Sequence, residues 1–200
     1  MIKSCFEKSV DTNKPLALTN FCNCLDECLN VFDLSEYSDI SIVCIGTDRS
    51  TGDCLGPLTG YKLSQMNFDK IHVFGTLDAP VHAKNLSDYI SKIEEFHNPF
   101  TIAVDACLGR TERIGCINIK EGCLNPGSGV NKNLPSIGNI SITGIVNVGG
   151  FMEIMVLQNT RLSLVMNMAN IISSGIRYNM WKIQRNSSSF NDFKHDSRVL

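Results

Sequence analysis

The chain has 200 residues, 43% of them hydrophobic, and carries 18 Lys and Arg against 20 Asp and Glu for a net charge of −2. That length suits one domain with a full core, and the charge balance argues against extended neutralisation of nucleic-acid phosphates. No apolar run approaches the roughly 20 residues that span a bilayer, and the N-terminal MIKSCFEKSVDTNK lacks an apolar leader core. The expectation is a cytoplasmic protein with neither nucleic-acid nor membrane partners.

Residues 1 to 14 are polar and read as an arm. Leu16, Leu18, Phe21, Leu25, Leu29 and Phe32 recur at spacings compatible with one helical face, predicting an amphipathic helix over 16–32. Ile40 to Ile45 is a continuous apolar run of the kind buried on both faces of a parallel sheet. It empties at Gly46 into the polar loop Thr47-Asp48-Arg49-Ser50-Thr51-Gly52-Asp53, and Leu55, Leu58, Leu63 and Met66 then predict a helix from about Cys54 to Met66. Ile71 to Phe74 predicts a second strand, Asn85 to Phe96 a helix closed by Asn98-Pro99, and Phe100 to Val104 a third strand with Asp105 at its carboxyl end.

The turn Gly109 to Arg113 is too short for a helical crossover, so Ile114 to Ile119 should pair antiparallel with a neighbour. A glycine-rich loop from Cys123 to Gly129 precedes a strand from Ile140 to Val146. Gly149-Gly150 then opens one long helix, about Phe151 to Tyr178, whose methionines are assigned to core packing. From Gln184 the chain turns polar and Ser-rich, predicting a single domain over 1–183 and a polar tail over 184–200. The alternation of strands and helices predicts a three-layer α/β/α fold with a mostly parallel twisted sheet and one antiparallel strand.

The carboxyl edge of such a sheet is where ligands bind. The topology brings Asp53, Asp105, His82 and the loop near Asn147 toward it. Two converging carboxylates are the minimal equipment for activating water, one ionised to take a proton and one protonated to polarise a carbonyl. Around them, Thr47, Asp48, Arg49, Ser50, His82 and Asn147 are candidate substrate-binding residues. Gly46, Gly52, Gly56, Gly127 and Gly129 shape the loops.

Other readings stand beside these. Asp53 can act only as a first-turn acid complementing the helix dipole, which favours its ionised form. Asp48 can close an Asx turn and pair with Arg49, Arg49 can instead bind a substrate carboxylate or phosphate through its bidentate fork, and His82 can bond a loop carbonyl. Cys54, acidified by the helix start, or Cys107 can serve as a thiol nucleophile with His82 as base. Pro126-Gly127-Ser128-Gly129 can form an anion nest. Of nine cysteines, Cys22, Cys24 and Cys28 are the one cluster to weigh as a metal or redox site, against packing as small apolar residues.

GTDRSTGDCLGP, running from Gly46 to Pro57, resembles the opening signature of the YyaC family of sporulation proteins, related to the germination protease of spore formers and more distantly to hydrogenase maturation endopeptidases. The similarity continues through Thr76 to Leu86, Val104 to Gly109 and Pro126 to Val130. The resemblance implies a sporulation-associated peptidase in the forespore, with Asp53 and Asp105 as catalytic aspartates and peptides or small acid-soluble spore proteins as substrates. It leaves a homo-oligomer open and implies no zymogen control. In the maturation endopeptidases the matching acids bind nickel with a histidine, but Ile145-Val146-Asn147-Val148-Gly149 contains none, so a divalent metal bridging Asp53 and Asp105 would need His82 as substitute. The rival reading is a non-catalytic protein that keeps the cleft to bind a peptide, metal or small ligand.

Overall fold

The computed structural model describes residues 5–126 and 134–195, with side chains as far as residue 185. One six-stranded sheet is built from β1 (Glu7–Asp11), β2 (Ile40–Cys44), β3 (Ile71–Phe74), β4 (Phe100–Gly109), β5 (Cys116–Glu121) and β6 (Ile140–Val148). Its strand order is β1-β5-β6-β4-β2-β3. β3, β2, β4 and β6 are mutually parallel, and β5 is antiparallel to both β6 and β1. β5 is therefore the one strand running against the rest, as expected for Ile114 to Ile119.

Five helices cover the sheet: α1 (Ala17–Leu29), α2 (Leu55–Leu63), α3 (Leu86–Glu94), α4 (Glu153–Gln158) and α5 (Leu162–His195). The chain moves from β2 outward to β3 and then back across β2 to β4. Two right-handed crossovers in opposite directions put their helices on opposite faces, and the core divides accordingly. Phe21, Leu25, Leu55, Val165 and Met168 cover the Ile42, Ile102, Val104 and Ile142 side, while Leu86 and Ile93 of α3 cover Val43 and Ala103 on the other. The reversal of direction falls between β2 and β4, a topological switch point at which the loops diverge and leave a crevice.

Three elements depart from the sequence-based expectations. The polar arm contains β1, which lies along β5 from Glu7↔Lys120 to Asp11↔Cys116. Only Val10 of this strand is buried, so apolar alternation could not announce it; backbone pairing at the sheet edge holds it. The expected continuous helix from Phe151 is two helices broken at 159–161, where Thr160 Oγ1 bonds the Val156 carbonyl and takes a bond from the Asn147 amide. Met152 and Met155 are exposed on α4, whereas Met168 is wholly buried on α5, so the core-packing assignment holds only beyond the break. The polar segment after Gln184 continues α5 as far as His195.

Candidate active site

β2 pairs with β4 only as far as Cys44↔Val104, while β4 continues beside β6 to Gly109↔Val148. Asp105 is thus inside a longer strand than expected, yet it is the first residue of β4 past the end of its β2 pairing. There the sheet is notched. Strand alternation puts Asp105 on the side of Ala103, opposite Val104. Immediately beyond, the β4–β6 register shifts between Cys107 and Leu108, an irregularity of the type that re-aims side chains beside sites.

The other aspartate reaches the notch from the β2–α2 loop. Gly46 has φ +141°, and a Cβ there would sit 2.0 Å from the Asp53 carbonyl oxygen, so the loop folds back on itself only with glycine at this position. Gly46 N–H donates to the Val81 carbonyl at 2.8 Å, anchoring the segment that carries His82. Gly52 N–H donates to the Leu157 carbonyl at 2.8 Å, seating the loop on α4. At Gly56 a side chain would strike the Ile45 carbonyl oxygen, so α2 lies directly against the end of β2. Gly127 and Gly129, with Ser128 of the expected anion nest, lie outside the described residues.

Both aspartates line two adjoining cavities, of about 510 Å³ and 460 Å³. With Leu157 they form the saddle between these lobes. Ile45, Gly46, Thr47, Arg49, Ser50, His82, Ala83, Lys84, Pro126, Leu134 and Ile154 line the first lobe. The second is lined by Glu7, Lys120, Asn118, Asn125, Ser141, Thr143, Cys107 and Glu153, among others. The structure therefore brings Thr47, Arg49, Ser50 and His82 to the cleft.

Asp48 and Asn147 line neither lobe. Asp48 is exposed and, among the described residues, forms no ion pair with Arg49. The Asn147 amide nitrogen donates to the Val156 carbonyl and Thr160 Oγ1, and its Oδ1 accepts from Val148 N–H at 2.9 Å. This amide is committed to holding α4 on β6. It positions the wall of the cleft.

The two carboxyls differ electrostatically. Asp105 is only 9% exposed, and burial, reinforced by the nearby negative charge of Asp53, raises its pKa well above the ordinary carboxylate value; the 2.8 Å bond from Ala106 N–H opposes this weakly. Asp53 is half-buried, and burial raises its pKa too, against a stabilising bond from Thr47 N–H and the proximity of His82. Desolvation thus outweighs the helix-start effect that favours its ionised form. Of the pair, Asp105 is the more deeply buried and the more strongly shifted toward its protonated form. Lys84 N–H donates to His82 Nδ1 at 3.3 Å, which in the neutral ring leaves the proton on Nε2.

Burial raises the Cys54 thiol pKa, and the charges of Asp48 and Asp53 raise it further, so the expected acidification by the helix start does not occur. Cys107 is pushed up to about 11, chiefly by burial. A thiol that stays protonated is a poor nucleophile. Cys54→Ala and Cys107→Ala should therefore leave any activity of the cleft within about threefold of that of the unmodified protein, as read by initial rates. Cys28 is wholly buried in the core and pushed up to about 12, with Cys24 packed alongside, which favours packing for the Cys22 cluster.

Among the described residues no three His, Cys, Asp or Glu side chains are grouped to hold a metal ion. Asp53 and Asp105 alone make an incomplete donor set, and His82 does not complete it. The residues present do not fit a resident metal. No helix among the described residues is long and apolar enough to cross a membrane.

Glu7, Lys120, Glu153 and Leu157 were not singled out by sequence reasoning. Glu7 enters through the edge strand, and Glu153 and Leu157 through the short helix that breaks from α5. Lys84 lay inside a noticed motif, but its place at the cleft depends on the Gly46–Val81 bond.

In overall structure the chain is similar to the NiFe hydrogenase maturation protease HycI from Thermococcus kodakarensis KOD1, at a TM-score of 0.49 and 16% identity, covering 76% of this chain and 98% of that one. In sequence it is 61% identical over 138 residues to the uncharacterized protein YyaC of Bacillus subtilis strain 168, over 68% of this chain and 67% of that protein. The family model described as a protein of unknown function, DUF1256, matches residues 9–175, and the chain belongs to that family.

Proposed function

We propose that the protein is a sporulation-associated peptidase in which Asp53 and Asp105 activate water for peptide-bond hydrolysis. The observation that carries this reading is the shared saddle: one buried and one half-buried carboxyl, unequally shifted, between two cavities that could take chain on either side of a scissile bond. The peptide carbonyl sits against protonated Asp105, which hydrogen-bonds its oxygen and passes its proton to that oxygen as the water adds. Ionised Asp53 takes a proton from water as the water oxygen bonds to the carbonyl carbon. Asp53 then gives that proton to the departing amine nitrogen as the C–N bond breaks, and Asp105 recovers its own as the carboxyl product forms. His82 beside Asp53 favours the charged base at the start of the cycle. The GTDRSTGDCLGP motif supports the same pair through the resemblance it carries, and it makes small acid-soluble spore proteins in the forespore the first substrates to try.

The test is digestion of small acid-soluble spore proteins and of an unbiased peptide mixture, with new termini mapped by mass spectrometry. The unmodified protein should create discrete termini that an Asp53→Asn/Asp105→Asn variant does not. Identical termini from both proteins would sink the proposal.

A further inference from the structure

The two lobes differ in charge. The lobe on the β2–α2 loop side carries Arg49 and Lys84 with His82, and apart from the shared aspartates no acid lines it among the described residues; its remaining walls include the apolar Ile45, Leu134, Ile154 and Leu157. The opposite lobe carries Glu7 and Glu153 beside the single cation Lys120. Lys120 faces Glu7 across the β1–β5 ladder, and Glu153 Oε1 accepts a long 3.3 Å bond from Gly150 N–H. Neither Arg49 nor Lys84 forms an ion pair among the described residues, although both border a cleft that holds two aspartates. Ser50, on the same wall, has a buried hydroxyl without a hydrogen-bond partner. A cationic lobe with apolar walls concentrates field on an anion that enters it.

We infer that the Arg49 and Lys84 lobe is a carboxylate subsite that fixes which way a peptide lies across the saddle. The inference rests on reading the cleft as a peptide site. The guanidinium takes a carboxylate in bidentate fashion, Lys84 adds a second positive charge, and an apolar neighbouring residue of the peptide lies against Leu134 and Ile154. On the far side, Glu7 and Glu153 repel the same group. A peptide site commits the ligand to a carboxylate, because an ordinary peptide carries no phosphate. The carboxylate has two sources, an acidic side chain or a free C-terminus.

The test is equilibrium binding, so that it stands apart from hydrolysis. Three fluorescein-labelled leucine-alanine heptapeptides serve as probes: one blocked at both ends with a central Glu, its Gln twin, and the Gln twin with a free C-terminal carboxylate. Fluorescence anisotropy should show the Glu or the free-carboxylate peptide binding about tenfold tighter than the blocked Gln twin. Which of the two gains identifies the source. In Arg49→Gln/Lys84→Gln the preference should fall to near unity, with the melting temperature held because both side chains are exposed. Equal binding of all three peptides, no binding of any, a preference that survives the double substitution, or inorganic phosphate competing as strongly as acetate would each overturn the inference. A preference that obeys the prediction in a protein that cuts nothing would uphold the subsite and remove the peptidase. Hydrolysis without the preference would do the reverse.

Discussion

Asp105→Asn should abolish peptide hydrolysis while making the protein more stable at neutral pH. The loss follows from role: an amide at this position cannot hand over and recover the proton that polarises the carbonyl, and removing such a group costs about 10²- to 10⁴-fold in rate. The gain follows from burial. Asp105 is 9% exposed and its pKa in the folded protein is raised, first by desolvation and then by the charge of Asp53. Below the unfolded value of about 3.9 both states are protonated and this group sets no pH dependence. As pH rises from there toward the raised folded value, only the unfolded chain releases the proton. Stability therefore falls by up to about 1.4 kcal/mol per pH unit across that window. Asparagine has no proton to release and can keep its carbonyl oxygen on Ala106 N–H, in the place of the 2.8 Å bond. Thermal denaturation from pH 4 upward should show the variant gaining on the unmodified protein as pH increases. A variant that is less stable at pH 8, or equally active, would show that Asp105 is an internal structural acid.

The second large effect involves no titrating group. A Cβ on Gly56 would lie 1.9 Å from the Ile45 carbonyl oxygen, and one on Gly60 would lie 2.0 Å from the Gly75 carbonyl oxygen. These obstructions are backbone, so no rotamer change relieves them. Gly56→Ala must lift α2 off the end of β2, at a cost of about 3 kcal/mol or more, read as a drop of about 6 to 12 °C in melting temperature for a domain of this size. The Asp53 loop runs directly into α2, so the same substitution should cut hydrolysis in protein that is still folded. A loss of stability without loss of rate would mean that the loop is held by Gly46 and Gly52 alone.

The parts legible in the sequence are those whose information is local. The run Ile42-Val43-Cys44-Ile45 announces a doubly buried strand, and the abrupt polarity at Gly46 announces the loop that holds Asp53. Asp105 could be placed because an acid at the end of an apolar strand run needs a reason to be there. What stayed hidden depends on partners distant in the chain. Glu7 to Asp11 form a strand because β5 offers an unpaired edge, which their own pattern, with only Val10 buried, does not encode. The break at Asn159 to Arg161 is set by the Asn147 amide reaching from β6. For the same reason the sequence could not show that the Asn147 amide nitrogen bonds the Val156 carbonyl and Thr160 Oγ1 while its oxygen takes Val148 N–H. The polarity of the cleft was hidden too, since it is assembled from Arg49, Lys84, Glu7 and Glu153 on four separate segments.

Glu7 stands on the outermost strand of the sheet, at the end where its neighbours Lys8 and Ser9 are also exposed. Rims of this kind open in small local fluctuations well before the body of a fold does. Each such breath would carry Glu7 away from Lys120, enlarging one compartment of the groove while the other, built on the Gly46 loop and α4, kept its form. A ligand entering the groove would then pass through one side door, with the chemical groups at the centre left undisturbed.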